Sequence, residues 1–444
     1  MSDLETASRS QIEAHQLARL QQGLTEVLAH NPFYQAKLSS IFQGIQPGEN
    51  GENPPGDHKG RPYSMLNLGS LRDLARLPFT TKQELVADQE AHPPFGHNLT
   101  YPLSQYIRLH QTSGTTGRPL KILDTQESWD WWAECWTAVY RAAGVTRDDI
   151  VFLAFSFGPF IGFWSAYEGA KRLGALTVPG GGMDSMQRLY AMQDVGATVL
   201  VCTPSYALRL AEVAQEHGID LSKSSVRITI HAGEPGASIP ATRQRIEQAW
   251  GAHAYDHTGM TEMGAYGFSC SQQRGVHVNE AEFIAEILHP RTSEPVAEGE
   301  VGELVLTNLG RWGSPAIRYR TGDLVRHGGY RCPCGRSLLF LPDGVLGRAD
   351  DMLIVRGVNV YPAALANVLH RFPEITEYRI IVTKEGTMDE IALQVECPPA
   401  LIPQLQEELR VAFNLRVPIE AVDLGTLPRF ELKARRVEDR RRRF

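Results

Sequence analysis

The sequence predicts a large α/β domain built on parallel strands, followed by a smaller α+β domain. Three observations carry this. Between residues 127 and 255, strand-like runs alternate with helical stretches of about 10–15 residues, the rhythm of βαβ units. Those runs are apolar throughout rather than alternating, which marks strands covered on both faces. Gly347-Arg348-Ala349-Asp350-Asp351 then forms a polar corner between two apolar stretches, and a compact unit of its own follows. The division is placed there, giving domains 1–347 and 348–444.

Taken in order, Ile12, Leu17, Leu20, Leu24, Val27 and Leu28 recur at near-helical spacing, so an amphipathic helix spans 10–30. Residues 43–64, rich in Gly, Pro and Asn, read as a surface loop. Thr80-Thr81 before Lys82-Gln83-Glu84-Leu85 predicts a threonine-capped helix. Helices follow at 127–142, 165–173, 184–196, 204–216 and 239–250, and strands at 149–154, 174–178, 198–202, 226–231 and 252–255. Segments 280–288 and 302–309 read as extended and partly antiparallel. Past the corner come strand 352–355, helix 362–371, strands 376–383 and 389–395, and helix 401–414.

With 42% hydrophobic and 21% charged residues, the chain can fill substantial cores and is not disordered. A formal charge of −7 gives no global pull toward nucleic acid, and the run Arg440 to Arg443 reads as a solvated end. No apolar run nears the ~20 residues that span a bilayer. Met1 to Arg9 has no signal-peptide character, so a cytoplasmic protein without membrane attachment is expected. Six cysteines in so long a chain do not make a disulfide framework.

Several segments could carry chemistry. Ser113-Gly114-Thr115-Thr116-Gly117 is dense in hydroxyls and glycine, suited to wrapping phosphate with amide and hydroxyl donors, or else an ordinary turn. Gly233-Glu234-Pro235, after a strand, could wall one face of a flat ring or simply turn the chain. Thr258-Gly259-Met260-Thr261-Glu262 also follows a strand, where parallel sheets place ligands. Thr261 could donate to a phosphate and Glu262 hold Mg²⁺, or the pair could cap a helix. Asp323 in Thr321-Gly322-Asp323 could accept both ribose hydroxyls. Lys433 could offset charge between an attacking carboxylate and a phosphate. Cys332-Pro333-Cys334, with Cys270 and His277, offers four soft ligands suited to structural Zn²⁺, although a buried free-thiol pair stays open. Phe155, Phe157, Phe160, Phe163 and Trp164, interleaved with Gly158, Pro159 and Gly162, could line a pocket for an aromatic ring or pack a corner of the core.

Together these blocks resemble the phenylacetate–coenzyme A ligase family of adenylate-forming enzymes, nearly end to end. The resemblance also takes in Asn31-Pro32-Phe33-Tyr34, Leu77-Pro78-Phe79-Thr80-Thr81-Lys82, Tyr319-Arg320-Thr321-Gly322-Asp323-Leu324, Arg356-Gly357-Val358-Asn359-Val360-Tyr361-Pro362 and Leu427-Pro428-Arg429. It implies the adenylate-forming fold: a large domain binding ATP and the acid, and a small mobile domain that rotates between two half-reactions. Ser113, Gly114, Thr115, Thr116 and Gly117 would hold the pyrophosphate. Gly233, Glu234 and Pro235 would border adenine, with Tyr255 and Asp256 close by. Thr261 would touch the α-phosphate, Glu262 would help hold Mg²⁺, and Asp323 and Arg348 would serve the ribose side. Asp350 matches the hinge, and Gly357 the segment swung in for thioester formation. Cysteines and a histidine matching Cys270, His277, Cys332 and Cys334 bind zinc in several members. Two departures stand out: Arg118 replaces the usual lysine, and Leu432 the usual glycine before Lys433.

The expected reaction is ATP-dependent activation of an aryl acid to an aryl-adenylate, then transfer to coenzyme A. His231 and Tyr266, with Phe155 and Phe160, suggest a ring bearing an amino or hydroxyl group, such as anthranilate or a hydroxybenzoate, with phenylacetate and plain benzoate left open. Loading of a carrier-protein thiol is the near alternative, and a catalytically silent nucleotide-binding module the alternative of another class. An oligomer is left open.

Overall fold

The computed structural model of the chain describes residues 3–42, 68–112, 119–349, 353–355, 358–385, 388–430, 434 and 436–441. Ser113 to Gly117, Asp350, Gly357 and Lys433, with Arg118, Leu432 and all of the expected loop at 43–64, lie outside the described residues.

Helix starts follow the hydroxyl residues seen in the sequence. Ser8 and Gln11 exchange side-chain-to-amide bonds ahead of helix Arg9–His30, and Thr81 and Glu84 do the same ahead of helix Lys82–Ala91. Thr125 and Thr203 cap helices Gln126–Ala142 and Pro204–Glu216. Helix Gln126–Ala142 buries Trp129, Trp131, Trp132 and Trp136 and packs along helix Ile161–Leu173.

The central sheet has eight strands. Leu176–Pro179, Ile150–Leu153, Val199–Cys202, Ile228–His231 and His253–Met260 lie side by side and parallel. Gly264–Phe268, Gly275–Val278 and Phe340–Pro342 extend it antiparallel. Their buried Val, Ile and Leu side chains meet the tryptophan helix in one large core. Phe283–Leu288, Val301–Asn308, Tyr319–Arg326 and Val345–Arg348 form a second, antiparallel sheet.

Two expectations are corrected. The strand expected at 252–255 continues to Met260, because antiparallel pairing with Gly264–Phe268 carries it onward. The helix expected from 165 begins at Ile161 and takes Phe163 and Trp164 into its first turn.

The C-terminal segment forms a separate six-stranded sheet around Glu377–Glu385 and Met388–Glu396, covered by helices Pro362–Leu369 and Ile402–Phe413. Its core, including Val360, Leu365, Leu369, Val382, Leu393, Leu405 and Leu409, is distinct from the core of the large body. Contacts across the junction are polar. Thr242 Oγ1 lies 2.6 Å from His370 Nδ1, Arg245 donates to the Ile375 carbonyl at 3.3 Å, and Arg436 donates to Ser205 Oγ at 3.3 Å. Among the described residues, no helix is long and apolar enough to cross a membrane.

Candidate active site

The parallel strands end on one edge of the sheet, and the polar motifs gather there. Thr261 and Glu262 occupy the turn between strands His253–Met260 and Gly264–Phe268, so they do not cap a helix. Gly264, at φ +138°, closes that turn, where a Cβ would lie 2.7 Å from both the Phe283 and Trp131 rings. The Thr261 carbonyl accepts a 2.6 Å hydrogen bond from Arg311. Arg311 is fully buried and grips Asp124 with two bonds of 2.6 and 2.7 Å. Burial pushes the Asp124 carboxyl upward, but Arg311 and His110 outweigh it and hold it below the ordinary range. A paired charge in the core thus anchors the backbone of the motif.

Glu262 is buried, with Oε1 3.2 Å from Lys82 Nζ. Burial first, and the Glu262 charge second, raise the Tyr319 phenol well above its usual range, so it stays an O–H donor beside this carboxylate. Lys82, Arg311, Asp124 and Tyr319 were given no role from sequence. Lys82 and Tyr319 stood inside family-like blocks, Pro78-Phe79-Thr80-Thr81-Lys82 and Tyr319-Arg320-Thr321-Gly322-Asp323-Leu324, whereas nothing singled out Arg311 or Asp124.

On strand Tyr319–Arg326, the Thr321 hydroxyl donates to the Leu304 carbonyl at 2.7 Å and accepts the Asp323 amide at 3.0 Å. Gly322, at φ +74°, leaves room for Arg348, whose guanidinium would lie 2.7 Å from a Cβ there. Arg348 Nη1 donates to the Thr321 carbonyl at 3.1 Å and lies 3.5 Å from Asp323 Oδ1. The Tyr266 hydroxyl reaches Asp323 Oδ2 at 3.4 Å. Asp323, Arg348 and Tyr266 therefore form one polar group.

Asp256 accepts the Ala237 and Ser238 amides at 2.7 and 2.5 Å, closing the Gly233–Ser238 loop against the strand that also carries Tyr255. Glu234 Oε1 accepts the Ser205 amide at 2.9 Å, and its Oε2 the Ala434 amide at 3.0 Å.

The residues expected to line an acid pocket sit in different surroundings. Phe155 is buried and stacked on Phe163 at 3.5 Å, whereas Phe160 is 40% exposed ahead of helix Ile161–Leu173. His231 is fully buried, with Nε2 2.9 Å from Thr229 Oγ1 and Nδ1 3.9 Å from Cys202 Sγ. Burial lowers its pKa to about 4, so it is neutral. Tyr266 faces Asp323 instead. Half-buried Phe157, Trp164 and Tyr167 do form a ring cluster, with centroids 4.9 and 6.3 Å apart, just past the end of strand Ile150–Leu153.

Cys270, His277, Cys332 and Cys334 place their ligand atoms within 4.8 Å of one another. Cys270 and Cys332 sulfurs are 3.8 Å apart, and Cys334 Sγ is 3.5 Å from His277 Nε2. Tetrahedral Zn²⁺ with bonds of about 2.3 Å to sulfur and about 2.0 Å to nitrogen needs ligand separations of roughly 3.5–3.8 Å. The donor set fits that ion. Burial, then Arg336, lowers His277 to about 4 and leaves the neutral imidazole that ligates metal. Arg336 also lies 3.7 Å from Cys334 Sγ and ion-pairs with Glu5 at 2.7 Å, an outer support for the cluster.

Comparison with known proteins gives a consistent picture. The AMP-binding enzyme family model matches residues 78–310, and that of the AMP-binding enzyme C-terminal domain matches 357–441. Phenylacetate-coenzyme A ligase of Thermus thermophilus is 34% identical over 92% of this chain and 86% of its own. The Escherichia coli enzyme of the same name is 32% identical over 99% of this chain and 98% of its own. In structure, 2-hydroxyisobutyryl-CoA ligase in its postadenylation state superposes with TM-score 0.88 at 31% identity, covering 98% of this chain and 91% of that one. The same protein in its thioesterification state gives 0.72 at 32% identity, covering 99% and 91%.

Proposed function

This chain belongs to the AMP-binding enzyme family and is an AMP-forming acid–thiol ligase; from that premise we propose that it joins an aryl acid, of arylacetate type, to coenzyme A. The observation that carries the reading is near-full-length similarity, at 34% and 32% identity, to two phenylacetate-coenzyme A ligases. The ring cluster of Phe157, Trp164 and Tyr167 at the strand ends supplies flat apolar walls for a ring. His231 and Tyr266 are committed to Thr229 and Asp323, so neither offers a partner to a ring amino or hydroxyl group. An arylacetate therefore suits the site without calling on either side chain.

In the proposed reaction, a carboxylate oxygen attacks the α-phosphorus of ATP, forming acyl-AMP and releasing pyrophosphate. The coenzyme A thiol then attacks the acyl carbon, and AMP leaves with the bonding electron pair. Ser113 to Gly117 hold the departing pyrophosphate, Thr261 donates to the α-phosphate and Asp323 accepts the ribose hydroxyls. Lys433 balances charge as the acyl–phosphate bond forms. Glu262, a buried hard ligand, would hold Mg²⁺, which supplies charge neutralisation on the phosphates, with Lys82 as its neighbour otherwise. We place the boundary between the domains at 347/348, within Val345–Arg348, the last strand of the second sheet, and the pivot at Asp350. Cys270, His277, Cys332 and Cys334 hold a structural Zn²⁺.

A second reading, a small aliphatic hydroxy acid, is favoured by the superposition on 2-hydroxyisobutyryl-CoA ligase. AMP release with coenzyme A, measured across arylacetates, benzoates and short aliphatic acids, decides between them. Preference for arylacetates is expected; preference for aliphatic acids overturns the aryl assignment. Thioester formed without any carrier protein identifies free coenzyme A as the acceptor.

A further inference from the structure

We propose that Glu234 is a positioning residue for the lysine-bearing tail, holding it for adenylate formation and releasing it before the thioester forms. The inference rests on the ligase reading above.

The Glu234 carboxylate is shared between two backbone amides from distant parts of the chain. Ser205, in the first turn of helix Pro204–Glu216, donates to Oε1 at 2.9 Å, and Ala434 donates to Oε2 at 3.0 Å. Ala434 directly follows Lys433. One anion thus ties the large body to the backbone next to the proposed catalytic ammonium. Both bonds are charge-assisted, and the helix N-terminus favours negative charge there.

Two residues further, Arg436 reinforces the attachment. It donates to Ser205 Oγ at 3.3 Å and to the two Glu377 oxygens at 2.5 and 3.1 Å, beneath the Tyr378 ring. Ser205 is therefore reached by both Glu234 and Arg436.

A lysine ammonium on a four-carbon stem samples many positions, so fixing the adjoining amide narrows where it can act. These bonds cross the polar junction between the two cores. They occur in an arrangement that superposes better on a postadenylation form than on a thioesterification form. Rotation of the small unit must break them. Because Glu234 follows Gly233 in the loop expected to border adenine, the same loop faces nucleotide and tail.

The full-length chain is compared with Glu234→Ala, Glu234→Gln and Ala434→Pro. In Glu234→Ala, hydrogen exchange of the peptide spanning Ala434 quickens about fivefold, as expected for loss of one charge-assisted bond. Acid-dependent pyrophosphate–ATP exchange falls about tenfold in turnover, with the KM for ATP within about twofold. Thioester formation from supplied acyl-adenylate and coenzyme A falls by a smaller factor than the exchange reaction does. Glu234→Gln, which keeps an acceptor, recovers most of the loss. Ala434→Pro removes the donor, and combining it with Glu234→Ala adds nothing further. Unchanged amide exchange, a raised KM for ATP with full turnover, or an additive double variant overturns the proposal. A wild-type chain inert toward every acid sinks the ligase reading instead, and the hydrogen-exchange comparison still decides whether Glu234 holds the tail.

Discussion

The large body and the small C-terminal unit solve opposite problems. Inside the body, the Thr261–Glu262 turn hangs on Arg311 and Asp124, both fully buried and joined by two short bonds. Between body and small unit, Thr242–His370, Arg245–Ile375 and Glu234–Ala434 are single hydrogen bonds at a polar junction. Breaking the first leaves an unpaired charge in the core, whereas losing any one of the second group breaks a single hydrogen bond. The Thr261–Glu262 turn is fixed by interactions too costly to lose, and the seat of the small unit is made from single bonds that cost less to break.

The largest test strikes the buried pair. Arg311→Met strands the Asp124 charge and should lower stability by about 3–5 kcal/mol. It is read as a fall in the urea midpoint with unchanged slope; a shift no larger than that of a surface substitution would erase the contrast between the regions. Next, Cys334→Ser should remove zinc, about one ion per chain by metal analysis of the parent, and lower the melting temperature. A metal-free parent that remains folded would discard the structural ion.

A third test concerns pH within the small unit. Glu396 is paired with Arg429 at 2.7 Å and accepts the Leu427 amide at 2.7 Å. Burial pushes its pKa up, but Arg429 and the amides win and lower it from 4.5 to about 2. A depressed carboxyl contributes stability that is fully present above 4.5 and lost as pH falls through about 2. Glu396→Gln should therefore be less stable than the parent at neutral pH, with the gap shrinking between pH 4.5 and 2. A gap independent of pH would assign Glu396 a packing role only. The smallest effect is expected for Thr242→Val, which removes one junction bond and costs about 1 kcal/mol or less. Its signature is faster trypsin cleavage near the junction, with the body's urea midpoint unmoved.

Much of this was readable before any coordinates. The helix start at Thr81 was marked by a residue that caps through its own side chain, a local signal. The four soft ligands stood out because few side chains bind zinc, although 62 positions separate Cys270 from Cys332. What was hidden depends on distant partners. Arg311 and Asp124 meet only after folding, and the strand reaching Met260 is prolonged by a neighbour that pairs with it. His231 and Tyr266 were polar in the right neighbourhood, but sequence does not reveal that Thr229 and Asp323 already occupy them.

The tryptophan-rich helix has a practical consequence. All seven indoles of the chain precede residue 313, the last being Trp312, and the small unit has none. Selectively excited tryptophan emission therefore has no fluorophore in that unit. A calorimetric scan with a thermal event absent from the fluorescence trace would record its independent melting directly, without a label.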